Sequence, residues 1–317
     1  MSYQPKVYRK QGGDELVVAD GGKITLESGA IVNGFSFKGT MRFADSSVSA
    51  SGDGLSWAGA YKTIAEAVAA ASAGDTICMR GSFTESVTVS TASLKLVGFG
   101  TGPRDAVYWN PVAGNDKVNL TVSAPYFEVR NVYFRPGPKS STYSAAIVLD
   151  TDAQHARIIG NRFQGTTGAY YAIYSPAVGA DNVHIIGNEF FYFNTATYGA
   201  AILGINAGGF SYSGWRIQDN IFNSCVTAIK LSCRAATITG NTIAEYGIAA
   251  AGTVGQVLAL GIDLSGSDAT SSGANCVWAN QLGGTYNATL YKVGASGDQW
   301  GGNFNVLTGG VTAANPS

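Results

Sequence analysis

Four stretches of this chain share one pattern: RIIGNRF at 157–163, HIIGNEF at 184–190, RIQDNIF at 216–222 and TITGNTI at 237–243. Each sets apolar residues, a turn residue, an Asn and a further apolar residue in a fixed order. The Asn residues recur at 161, 188, 220 and 241, so the intervals are 27, 32 and 21 residues. That irregularity excludes a metered repeat. A fixed motif with floating spacers points to stacked coils whose corners are constrained and whose loops bulge freely.

A second strand signal lies between the motifs: AAIVL at 145, YAIYS at 171, AAILG at 200, TAIKL at 227, LGIDL at 260 and ATLYK at 288. No helix-length periodic segment separates the two signals, so the crossovers of a doubly wound sheet or an α/β barrel are missing. Parallel strands without helices must stack as a solenoid, each coil resting on the one before. The Asn then has two tasks. It tolerates the positive φ of a sharp bend, and its amide can bond to the next along the axis at the strand spacing of about 4.8 Å. A ladder of Asn131, Asn161, Asn188, Asn220, Asn241 and Asn280 is therefore expected, with Phe127, Phe163, Phe190 and Phe222 stacked inside as a core column. About eight or nine coils would span about 40 Å.

Ahead of the motifs, YKTIAEAVAAASAGD at 61–75 predicts a short amphipathic helix. Thr63 and Glu66 form a capping box, Tyr61, Ile64, Val68 and Ala71 share a face, and Gly74 can take the left-handed stop. Three strand signals follow, marked by Ile77 and Met79, Val87 and Val89, and Leu94 and Leu96. The helix is expected to close one end of the stack. Residues 1–50 differ, with apolar and polar positions alternating in short runs. Strands so short cannot build a core alone, so this segment is expected to be an arm that orders by pairing. The expected organisation is an arm over 1–50, a solenoid over 51–305 and a loosely ordered tail over 306–317.

The 45% hydrophobic content of the 317 residues supplies a sizeable core. With 13% charged residues and 20 basic against 21 acidic, there is no electrostatic footprint for nucleic acid or an anionic membrane. The first residues read as neither a secretory signal nor an anchor. Cys78, Cys225, Cys233 and Cys276 form no CxxC pair and are expected to be free thiols, mostly in the core. The acceptor patterns at Asn119 and Asn287 are read as accidental.

At this point the chain resembles the right-handed parallel β-helix, or pectin-lyase-like, superfamily. YKTIAEAVAAASAGDTICMRGSFTESVTVSTASLKLVGFGTGP is similar to that superfamily's opening, and the I-x-x-N-x-F coils to the rest, over about 61–305. The resemblance implies an all-β fold: a single-stranded right-handed parallel β-helix with an N-terminal capping helix and a β-rich arm. VYRKQGGDELVVADGGKITLESGA at 7–30 further resembles the start of tailed-phage head decoration or head-fibre proteins. That second resemblance implies a homotrimeric cement protein on the capsid exterior of a virion, made in the host cytoplasm. Its arm would grip the major capsid protein, with Tyr8, Arg9, Lys10, Leu16, Val17, Val18, Ile24 and Leu26 as the contact residues.

Because the β-helix superfamily includes many carbohydrate-active enzymes, each candidate for chemistry was weighed. Glycoside hydrolysis needs two carboxylates flanking one bond, and the nearest pair is Asp150 and Asp152, with Asp263 a possible neighbour. A turn role is expected for the pair. Arg135 is the one nominee for a lyase base, without the surrounding acids. His155 and His184 are too poorly supported for zinc, GFGTGPRD at 98–105 lacks the Lys of a phosphate loop, and there is no Gly-x-Ser-x-Gly elbow. No catalytic residue, metal or cofactor is assigned, and the expectation is a structural protein without enzymatic activity. The alternative is a tailspike-like glycan-binding protein or polysaccharide depolymerase. Tyr170, Tyr171, Tyr192 and Tyr198, expected on the outer surface, suit a glycan or protein interface.

Overall fold

The computed structural model describes residues 7–9, 16–18, 39–100, 107–110, 112–140, 143–165, 169–176, 179–193, 200–204, 212–244, 260–266, 275–283, 291–292, 297–305 and 312–313. Two units emerge, 1–38 and 39–317. In the first, Val7–Arg9 and Leu16–Val18 pair antiparallel as a ribbon holding Tyr8, Arg9, Leu16, Val17 and Val18. Lys10, Ile24 and Leu26 lie outside the described residues.

The second unit is a right-handed parallel β-helix with three long sheets. The first has ten strands, from Met41–Asp45 and Thr76–Arg80 through Lys95–Gly98 to Gln299–Gly301. The second also has ten and the third eight, counted among the described residues. Pairing is parallel throughout except for Thr312–Ala313, which turns back on Phe304–Asn305. Segment 39–50, assigned to the arm on sequence, opens the solenoid instead: Met41–Asp45 pairs with Thr76–Arg80 over five residues.

Each motif contains two strands. Arg157–Ile159 belongs to the first sheet and Arg162–Gln164 to the second, with the Gly160–Asn161 corner between them. The later strand signals, such as Tyr171–Ser175 and Thr227–Leu231, form the third sheet. Sequence periodicity counts two signals per coil because three residues are too few for alternation to register on either side of the corner.

The corner separates the two tasks expected of the Asn. Positive φ falls on the residue before it: Gly160, Gly187, Asp219, Gly240, Ala279 and Gly302 lie between 55° and 68°. The Asn itself carries the ladder. Asn161 N–H and Nδ2 donate to Asn188 Oδ1 at 2.9 and 3.2 Å, Asn188 to Asn220 at 2.9 and 3.0 Å, Asn220 to Asn241, Asn241 to Asn280, and Asn280 to Asn303. Each Nδ2 also donates to a first-sheet carbonyl of an adjoining coil, as Asn188 does to Ile158 at 2.8 Å. These amides are buried and satisfied, as burial demands.

Asn131 is not a rung. Its φ of 54° places it in the left-handed column with Gly160, and register pairs Tyr133 with Arg162, so Val132 stands where Asn161 does. Asn303, not foreseen, completes the ladder. The aromatic column shifts likewise. Trp109, Phe134, Phe163, Phe190 and Phe222 stack with centroids 4.7–5.3 Å apart, and Phe134 takes the place expected of Phe127. Phe127 is buried but precedes the first sheet, its carbonyl accepting from Arg157 N–H.

Helix α1, Ile64–Ala70, has the expected capping box between Thr63 and Glu66. Glu85 adds to it, its two carboxylate oxygens accepting from Ile64 and Ala65 N–H at 2.8 and 2.9 Å. Beyond the helix Asp75 ties the end coil together, accepting from Thr40 N–H, Ser72 N–H and Arg42 Nε at 2.6–2.9 Å. Cys78, Cys225 and Cys233 are buried free thiols; Cys276 is exposed.

Candidate functional site

Alternate residues of the first-sheet strands point outward, and parallel register stacks them in columns. One column runs Lys95, Glu128, Arg157, His184 and Arg216. Two residues earlier in each coil stands a second column, Ser93, Tyr126, His155 and Asn182, all with φ between 54° and 61°. All of these except Arg216 line an open groove of about 520 Å³.

The left-handed backbone of the turn column lays neighbouring side chains flat on one another. Tyr126 and His155 are parallel within 3°, with ring centroids 4.9 Å apart, and Tyr126 is exposed at 57%. Beside this platform Glu128 is nearly buried and held by two arginines. Arg130 Nε and Nη2 donate to its carboxylate at 2.7 and 3.2 Å, and Arg157 Nε stands 3.5 Å from it. The Glu128 hydrogen bond pushes the Arg130 guanidinium above its ordinary value. His184 is pushed below the usual imidazole range, by burial first and then by Arg216, Arg157 and His155. These surroundings favour the neutral ring, the form that can accept a proton.

The outer face of the third sheet carries a different aromatic group. Tyr171 stacks on Tyr174 at 4.8 Å, and Tyr143 meets Tyr174 edge-on at 4.7 Å. Burial, then Tyr174 and Tyr170, push the Tyr171 phenol up to about 12. Of the tyrosines expected outside, Tyr192 is exposed, Tyr171 is half-buried, Lys139 Nζ sits 4.1 Å over the Tyr170 ring, and Tyr198 lies outside the described residues.

The carboxylates singled out on sequence do not converge. Asp150 accepts from Thr151 N–H at 2.9 Å, a turn contact. Asp263 belongs to a strand four steps along the third sheet from Ala145–Leu149, roughly 19 Å at the strand spacing. There it accepts from Ser265 and faces Lys230 at 3.5 Å. Arg135 N–H donates to Trp109 O on the second sheet, away from the groove. Among the described residues no group of three His, Cys, Asp or Glu is placed to hold a metal. His155 and His184, weighed on sequence only as zinc ligands, are brought into one groove with Tyr126 and Glu128.

No family model matches the chain, and no curated protein matches it. Solved structures do share its fold. A pectin methylesterase, described in complex with a hexasaccharide, superposes with a TM-score of 0.50 at 15% identity, covering 78% of this chain and 81% of that one. Pectate lyase Pel9A gives 0.46 at 13% identity over 87% and 82%, and the Dettilon tailspike protein 0.44 at 12% over 83% and 61%. The first of these likenesses establishes the fold. It also corrects the expectation of a chain without enzymatic activity: a protein of this fold is named as a methylesterase, so an absence of familiar motifs gives no ground for excluding catalysis.

Proposed function

We propose that this protein engages a polysaccharide along the outer face of its first sheet, in the manner of a tailspike-like glycan-binding protein or depolymerase. The observation that carries the reading is the Tyr126–His155 platform beside the row of Lys95, Glu128, Arg157 and His184. An exposed aromatic face takes the apolar face of a sugar ring, and the charged row supplies donors and acceptors for hydroxyl and carboxylate groups. Chemistry follows from the same row. Among the described residues Glu128 is the one carboxylate lining the groove, and it is engaged by arginines, which does not suit hydrolysis by paired carboxylates. His184, between Arg157 and Arg216, suits removal of the proton α to a sugar carboxylate held by those cations. The electron pair then forms a carbon–carbon double bond as the glycosidic oxygen leaves and takes a proton from water.

The test is a glycan array with the full chain and Tyr126→Ala, then incubation of each ligand that binds and measurement of new chain ends. The expected result is binding that Tyr126→Ala weakens about tenfold or more, with any cleavage lost in His184→Gln while binding persists. Binding indifferent to Tyr126 would overturn the reading.

A second reading concerns the arm. The Val7–Arg9 and Leu16–Val18 ribbon is two three-residue strands, too small to be stable alone. This supports attachment to a larger assembly, for which the sequence resemblance suggests the major capsid protein on the outside of a phage head, with self-association as a trimer. Co-sedimentation with virus heads stripped of accessory proteins tests it: full-length chain should bind and a chain lacking 1–38 should not. Equal binding by both would remove the arm from the account.

A further inference from the structure

Five strand steps along the same sheet from Glu128 stands a second exposed aromatic. Trp278 occupies the outward third position of its strand, in register with Thr239 and Gly301, and is 54% exposed. Its indole lies flat on the next coil. A Cβ built on Gly301 would come within 1.9 Å of the ring, and one on Gly302 within 3.3 Å. Two successive glycines thus form a bed on which the indole rests with its other face open. Pre-set orientation of this kind lowers the ordering cost of a contact.

The surface between the two aromatics is polar over the two coils before Trp278, whereas the coils of Arg157 and His184 set the half-buried Ile159 and Ile186 in the register column of Trp278. Arg216 and Gln218, then Thr237 and Thr239, fill the outward positions of those two coils. From the strand of Glu128 to that of Trp278 is roughly 24 Å at the strand spacing. Trp278 also stands four residues further along the strand direction than Tyr126, so the path runs diagonally across the face. An aromatic at each end, with two isoleucines and hydroxyl, amide and guanidinium groups between them, offers successive sugar rings both apolar faces and hydrogen-bonding partners.

Resting on the groove reading, we infer that Trp278 is a distal subsite and that the ligand is an extended polymer, long enough to bridge from Tyr126 to Trp278, not a terminal mono- or disaccharide. Short and long fragments of the polysaccharide that binds best, or galacturonate oligomers as the starting probe, are titrated calorimetrically into the full chain and into Trp278→Ala, Trp278→Phe and Tyr126→Ala. Circular dichroism checks each fold. The expected result is that Trp278→Ala weakens the long fragment about tenfold and leaves the short one unchanged, with Trp278→Phe restoring most of the loss. If the long fragment binds Trp278→Ala as well as the unaltered chain while Tyr126→Ala still weakens it, the distal subsite is overturned and the groove stands. If neither length binds the unaltered chain across the panel, the groove reading fails and takes the subsite with it.

Discussion

One corner residue decides between two positions that look alike in sequence. In FEVRNVYF no turn residue precedes the Asn, so Asn131 itself takes the left-handed conformation, and its Nδ2 bonds Gly98 O at 2.7 Å. In the other copies Gly, Asp or Ala fills that place and frees the Asn to face inward. The distinction was therefore written in the motif, as was QWGGNF at 299–304, which holds Asn303. The two positions should respond differently to mutation. Asn188→Ala leaves Asn161 N–H and Ile158 O buried without their partner and should cost about 2–4 kcal/mol in denaturant unfolding. Asn131→Gly keeps the backbone at ease and should stay within about 1 kcal/mol. Similar losses at both sites would contradict the separation of roles.

At the scale of elements, the end coil and the aromatic column hold the stack. Burial works to raise the Asp75 carboxyl, but hydrogen bonds from Ser72, Thr40 and Arg42 outweigh it and hold the group below the ordinary carboxylate range. Asp45, bonded by Ser47 and Arg80, is lowered in the same way against its own burial. A carboxyl lowered by folding stabilises above its unfolded value, near about 4, and that contribution disappears as pH falls through the folded value. Stability should thus drop below about pH 4, and Asp75→Asn should flatten the acid limb of a melting-temperature profile while lowering its plateau. Inside, Phe190 stacks on both Phe163 and Phe222, and Phe190→Ala should cost about 3–5 kcal/mol by the same unfolding assay. The capping box was legible because helix caps are local in sequence. The column was legible in kind but misplaced by Phe127, because the first-sheet strand beside it, Glu128–Arg130, is only three residues long and its phase depends on the corner that follows.

The groove is a property of the whole molecule. Ser93, Tyr126, His155 and Asn182 share a column although 33, 29 and 27 residues separate them, and nothing local in the chain marks a residue two positions ahead of a strand as a neighbour of its counterpart a coil away. Function therefore escapes a motif search that finds the fold. The unit boundary makes a further prediction. Since Met41–Asp45 is already part of the first sheet, a chain lacking 1–38 should melt with the full chain and keep its glycan affinity. The central claim is that the first sheet, and not the tyrosine face of the third, meets the polysaccharide. Hydrogen exchange of the full chain with and without a bound polysaccharide tests this most directly. The account predicts slowed exchange at 93–95, 126–130, 155–157 and 182–184, extending to 276–278 for long chains. Protection confined to 143–149 and 171–175 would place the ligand on the third sheet and contradict it.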